Sequence, residues 1–246
     1  MTPRTPGRRI PALMLAVLLS SVATANPILF PGAQGDLSAV ASFELAGGDL
    51  LVILTNTSPH DVMNPSEVLT AVFFNLPGNP TLSPISAVVA PGSAVWFGGT
   101  EPGGAVGGEW AYRSGLSGAP GGAFQGISSS GLDLFGKFDR FPGANLQGPD
   151  SPDGLQYGIT SAGDDPNTGN QKVKGSEALV HSSVVFRFGN VPGNLRLSAI
   201  SAVSFQYGTS LSEPNVPDSK NPEPATLLLV APALLWAAWR YRRKVI

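Results

Sequence analysis

The 246-residue sequence predicts an all-β body, an antiparallel β-sandwich of immunoglobulin-like or jelly-roll type with glycine-rich loops, followed by one C-terminal transmembrane helix. Three observations predict this. Short apolar runs alternate with polar residues at a period of two. Gly and Pro, 53 residues together, punctuate those runs. No long 3.6-residue apolar period occurs within residues 26–212, so crossover helices and a parallel sheet are not expected.

The elements follow in order. In 42–45, Phe43 and Leu45 alternate with Ser42 and Glu44; Gly47-Gly48-Asp49 turns the chain, and Leu50–Leu54 is continuously apolar. That run suits a strand buried on both faces, and the two strands read as a hairpin. Residues 67–74 carry Val68, Leu69, Val72, Phe73 and Phe74 and predict a third strand. Residues 85–90, a Pro91-Gly92 turn and residues 93–97 predict a second hairpin. Late in the chain, Val184, Phe186 and Phe188 share one strand face, with His181, Val185 and Arg187 on the other. Val203, Phe205 and Tyr207 alternate with Ser204 and Gln206 in the last strand. Between these groups lies a glycine-rich insertion, about 98–158, with 10 Gly in residues 103–131 alone. It carries Trp110, Tyr112, Phe124, Phe135, Phe138 and Phe141, aromatics that a flexible linker would waste, so it is expected to fold back on the body. Residues 213–221 are polar and proline-containing and read as a linker.

Charge is distributed unevenly. Residues 26–221 hold sixteen acidic and eight basic residues, net −8, whereas the whole chain is −2. An acidic body argues against a nucleic-acid partner, whose phosphates require a basic surface. The remaining basic residues flank the two apolar ends. Arg4, Arg8 and Arg9 precede a short apolar run around Leu13–Leu19, and Ala23-Thr24-Ala25 matches the small-x-small cleavage pattern. Residues 1–25 therefore read as a signal peptide cleaved before Asn26. At the other end, Pro222-Glu223-Pro224 precedes the apolar run Ala225–Trp239 and the basic cluster Arg240, Arg242, Arg243 and Lys244. Fifteen residues reach about 22 Å as a helix against a bilayer core of roughly 30 Å. Trp236, Trp239 and Tyr241 suit the interface, and the arginines can snorkel, which extends the expected helix to about 225–241. The basic cluster is the cytoplasmic stop, which leaves the body on the other side of the membrane. The same hydropathy also fits a plain single-pass anchor.

This tripartite tail resembles the PEP-CTERM sorting signal of Gram-negative bacteria. The match comprises Pro222, Glu223 and Pro224, then Ala-Thr-Leu-Leu-Leu, a short span and a basic end, and it covers residues 221–246. Pro232 departs from the more usual glycine-rich span. Three runs in the body, 126–132, 145–149 and 152–159, also resemble stretches of uncharacterised PEP-CTERM proteins. The resemblance implies processing by exosortase, a membrane cysteine protease-transpeptidase. It also implies a precursor anchored in the inner membrane with a periplasmic body, and a mature form at the cell surface or secreted. The expected role is structural or interactive, beside exopolysaccharide in an envelope or biofilm matrix. The alternative is a secreted carbohydrate-binding module.

Candidate chemistry within the body is sparse, and neither an enzyme nor a cofactor is expected. The absence of Cys excludes disulfides, a thiol nucleophile and Cys-ligated zinc. Ser128, Ser129 and Ser130 stand outside any G-x-S-x-G frame, and His60 and His181 are the only imidazole bases; turn capping explains the serines equally well. Asp164, Asp165 and Asn167 form an oxygen-rich run that offers a weak calcium candidate, with Asp150 and Asp153 upstream, but the spacing fails the EF-hand pattern. Trp96, Trp110, Tyr112 and Tyr157 could present flat faces to a sugar or could be core. Glu101 and Glu109 have no spacing that supports a glycosidase pair, and Asn56-Thr57-Ser58 is a formal glycosylation sequon.

Overall fold

The structure, a computed structural model, describes residues 26–100, 102–132, 134, the backbone of 144–145, and 154–220. The signal peptide with Ala23 and Ala25, the sorting residues Pro222, Glu223 and Pro224, the apolar span and the basic stop lie outside the described residues. So do Glu101, Phe135, Phe138, Phe141, Asp150 and Asp153.

Strands dominate, and helical geometry among the described residues is confined to single 3-10 turns. In chain order the strands are β1 (Ile28–Gln34), β2 (Leu37–Ala46), β3 (Asp49–Asn56), β4 (Leu69–Asn75), β5 (Ser83–Val89), β6 (Ala94–Trp96) and β7 (Ala111–Ser114). They continue with β8 (Gln125–Ser128), β9 (Ala144–Asn145), β10 (Ile159–Thr160), β11 (Leu179–His181), β12 (Ser183–Gly189), β13 (Ser201–Tyr207) and β14 (Asn215–Pro217). One sheet has the order β1-β2-β3-β12-β5, antiparallel throughout. The other runs β6-β11-β10-β4-β8-β7-β9, with β13 and then β14 branching from β4; it is antiparallel except at β10–β11.

The two sheets face each other across one core, and aromatic pairs join them. Phe43 of β2 meets Phe74 of β4 at 5.3 Å, Trp110 meets Phe186 of β12 at 4.9 Å, and Tyr112 of β7 meets Phe188 at 5.1 Å. The alternation in β3, β12 and β13 places Val52, Leu54, Val184, Phe186, Val203 and Phe205 in this interior. A second cluster covers the outer face of β4: Ala71 and Phe73 pack under Leu116, Ala119, Ala123 and Leu132. The glycine-rich stretch thus supplies β7 and β8 and a lid over β4, and it buries Trp110 and Tyr112.

Four expectations need correction. Leu50–Leu54 is not buried on both faces, because β3 alternates buried with half-buried residues. β4 is covered on both sides: Leu69 through Phe74 are all buried, and Leu116, Ala119, Ala123 and Leu132 supply a second layer over Ala71 and Phe73. The hairpin over Gly47-Gly48 does form, with both glycines at positive φ (63° and 92°) as a two-residue primed turn requires.

The hairpin over 85–97 does not form. Its turn exists, with Ser93 N–H bonding Ala90 O at 3.0 Å and Gly92 at φ 83°, but β5 belongs to one sheet and β6 to the other. The edge of β5 that β6 would have paired is taken by residues 104–106, through Val89 N–H to Gly104 O and Val106 N–H to Ala87 O, both at 2.9 Å. In the same way His181 does not share a strand with Val185 and Arg187. Ser182, at φ 81°, redirects the chain so that His181 closes β11 while Val185 and Arg187 lie in β12.

Residues 213–220 are not a linker. Asn215–Pro217 form β14, pairing Phe205 with Val216, and Val216 is fully buried. Gln206 fastens this return, its side-chain amide Nε2 donating to the carbonyls of Glu213 and Pro214 at 3.1 and 3.2 Å. The Glu213 carboxylate accepts the Thr209 and Ser210 N–H groups at 2.6 and 2.9 Å. Polar composition hid a strand held by one apolar side chain and a set of backbone bonds.

Candidate functional site

The chemistry-bearing groups that converge do so beyond the end of β3, where residues 57–68 meet residues 160–174. Asn56 begins the turn. It is fully buried; its Nδ2 donates to Ile159 O at 3.0 Å and its Oδ1 accepts Ser58 N–H at 3.1 Å. The formal sequon therefore sits in the interior as a structural amide. Further on, Glu67 accepts the Met63 and Asn64 N–H groups at 2.6 and 3.3 Å and caps the 3-10 turn Pro65–Glu67. A small apolar cluster of Val62, Val68, Leu155, Val173 and Leu179 lies beneath.

Two aspartates hold the loops together reciprocally. Asp61 accepts Asp165 N–H at 2.8 Å on Oδ1 and the Thr168 hydroxyl at 2.6 Å on Oδ2. Asp164 accepts Val62 N–H at 2.9 Å. Burial pushes the Asp164 carboxyl up to about 6, and the neighbouring Asp61 adds to the rise. Asp61 moves down instead, held by Asp165 N–H, the Thr168 hydroxyl and the Asp164 side chain. The pair thus keeps one proton on Asp164 well above the usual carboxylate range. Asp61 also lines a cleft of about 500 Å³ together with Asp36, Ser58, His60, Met63 and Glu67. His60 Nε2 lies 3.5 Å from Asp36 Oδ1, both side chains being exposed.

The sequence-predicted residues fall as follows. Asp165 Oδ1 is occupied by the N–H and the amide of Asn167, both at 2.9 Å, in a local turn. Asp164, Asp165 and Asn167 do not converge as a ligand set, and no group of three His, Cys, Asp or Glu residues suited to a metal exists among the described residues. Ser128, Ser129 and Ser130 are fully buried, with hydroxyls donating to the carbonyls of Ser130 (2.7 Å), Thr70 (3.4 Å) and Thr209 (3.3 Å) respectively. His181 is removed from them, stacked on Trp96 at 4.5 Å with its Nε2 3.3 Å from Ala162 O. Glu109 closes the 3-10 turn Gly107–Glu109.

The four-aromatic platform does not exist. Trp110 and Tyr112 are core, because β7 lies inside the second sheet and faces β12. Trp110 Nε1 donates to Tyr157 O at 3.2 Å, and the Tyr157 hydroxyl donates to Gly99 O at 2.8 Å. Trp96 remains half-buried at the β6 edge, beside the exposed Phe97.

No protein-family model, curated protein or solved structure matches this chain. Asp61, the partner of Asp164, escaped sequence reasoning because the two stand in different loops with no shared motif. Its only signal was the Ser-Pro-His-Asp run.

The raised Asp164 carboxyl makes stability between about pH 4 and 8 depend on pH with a defined sign. The folded-state value of Asp164 is raised, so the stabilisation it provides is complete below about pH 4 and is lost as pH rises through about 6. Asp164→Asn retains an acceptor for Val62 N–H and a donor toward Asp61. The substitution should raise unfolding stability at pH 7.5 by about 1 kcal/mol, after discounting for partial exposure, and leave it unchanged at pH 4. Urea midpoints across pH 4–8 test this; a variant with the wild-type pH slope contradicts it.

Proposed function

We propose that this chain is an exported envelope or extracellular-matrix protein. Its precursor is anchored in the inner membrane with a periplasmic body, and an exosortase-type enzyme processes it to a form at the cell surface or secreted. The observation that carries this reading is the succession Pro222-Glu223-Pro224, Ala225–Trp239 and the basic cluster Arg240, Arg242, Arg243 and Lys244. Prolines favour an extended backbone, the conformation a protease site requires. Residues 1–25 as a signal peptide supply the export route and the same orientation. The net charge of −8 over residues 26–221 fits a cargo that does not bind nucleic acid. The body, a two-layered sandwich of immunoglobulin-like or jelly-roll type, serves a structural or interaction role beside exopolysaccharide. Among the described residues no helix is long and apolar enough to cross a membrane; the expected span lies outside them.

The test is replacement of Pro222, Glu223 and Pro224 by Ala in the native host. Unprocessed protein should accumulate in the membrane fraction, and intact mass should show residues 221–246 retained. Normal maturation of the variant refutes the sorting reading. A second reading, a secreted carbohydrate-binding module, is supported by Trp96 and the exposed Phe97 at the β6 edge.

A further inference from the structure

Both ends of the body meet at one corner. β1 begins at Ile28, and the chain after β14 is tied to it: Ser219 N–H and Oγ donate to Pro31 O at 2.8 and 2.9 Å. The Lys220 ammonium donates to Leu29 O and lies 4.9 Å over the Phe30 ring. Asp218 is buried and its N–H bonds Val203 O at 2.9 Å, so the chain has no slack before Lys220. From Lys220 to Ala225 is five residues, at most about 17 Å of extended chain. The apolar run is about 8 Å shorter than a bilayer core, so a membrane-inserted tail would draw Pro222-Glu223-Pro224 toward the headgroups and shorten the reach further.

We infer that the β1–β14 corner, with the exposed Leu29 and the Lys220 cation, lies against the lipid headgroups while the precursor is anchored. This rests on residues 222–246 acting as a membrane-inserted tail. Leu29 is 51% exposed, an apolar side chain beside the cation. A body of net −8 is repelled by an anionic leaflet, so the short tether rather than general charge holds the contact, and Lys220 is the group placed to meet a phosphate. The opposite end of β1 points the other way. Asp36 lies in the hairpin turn beyond Gln34, and Leu29 to Gln34 alone spans roughly 17 Å along the strand.

The chain has no Cys, so single-cysteine variants label cleanly. The full-length protein, made without a processing enzyme, is reconstituted in phosphatidylethanolamine–phosphatidylglycerol vesicles with quencher-bearing headgroups, and a fluorophore is placed at Leu29→Cys or Asp36→Cys. The Leu29 probe should be quenched several-fold more than the Asp36 probe. A Gly/Ser spacer of about ten residues inserted after Lys220 should abolish the difference. Equal quenching of the two probes in protein that co-floats with vesicles overturns the inference and leaves the sorting reading standing. Quenching that survives the spacer overturns the tether. Failure to co-float overturns the membrane-inserted tail, and the inference with it.

Discussion

Trp110→Ala should destabilise the body by about 3–5 kcal/mol, a loss large enough to unfold a domain of ordinary stability at elevated temperature. The indole is fully buried, packs edge-on against Phe186 at 4.9 Å, and donates to Tyr157 O at 3.2 Å. Truncation therefore removes an inter-sheet contact and a hydrogen bond and leaves a cavity between β7 and β12. Trp96→Ala, at the half-buried β6 edge and stacked on His181, should cost less than about 1 kcal/mol. Urea midpoints of the two variants decide whether the tryptophans differ as their positions require; equal losses would contradict the assignment of Trp110 to the core. The Trp96 variant also serves the carbohydrate reading, which requires it to lose binding to a neutral polysaccharide while remaining folded.

Gly169→Ala should cost about 2–4 kcal/mol and release the Asp164 carboxyl toward its ordinary range. Gly169 has φ +80°, and a Cβ there would lie 2.5 Å from Val173 Cγ2, 2.7 Å from Val62 O and 3.1 Å from Met63 Cα. Two of these obstacles are backbone atoms, which cannot swing aside. The loop of residues 162–174 would have to lift from residues 61–63, which breaks the Asp61 and Asp164 caps. Gly154→Ala is the matched control, since a Cβ there meets nothing within 4 Å. Carbon-13 NMR titration of the aspartate carboxyls checks the outcome. An Asp164 that still titrates near 6 in the Gly169 variant would show that the loop contact does not depend on this glycine.

Much of the fold was legible because strand alternation is a local property. Val184, Phe186 and Phe188, or Val203 and Phe205, announce their buried face without reference to any partner. The Gly47-Gly48 turn is equally local, since two adjacent glycines at positive φ fit the two-residue hairpin loop. Pairing is not local. Pro91-Gly92 signalled a real turn, yet whether β5 continues into β6 within one sheet depended on residues 104–106 arriving at its edge. The exposed-looking composition of residues 213–217 likewise concealed β14, whose partner β13 lies several residues upstream and whose burial rests on Val216 alone.

The candidate site divides along the same line. Asp164 and Asp165 were visible as an oxygen-rich run, and its local turn was foreseeable from Pro166-Asn167-Thr168-Gly169. Asp61 became relevant only when folding brought its loop to theirs, and the proton held by Asp164 arises from burial and proximity that no spacing encodes. The aromatics show the converse: their number predicted large apolar faces, but which became core and which stayed at an edge was set by sheet order. By itself the sequence determined the β character of the body, its acidic charge, and the hydropathy of its two ends, because each is additive over neighbouring residues. The sheet partners, the buried aspartate pair and the joined corner of β1 and β14 were decided by tertiary structure, because each depends on residues far apart in the chain occupying the same space.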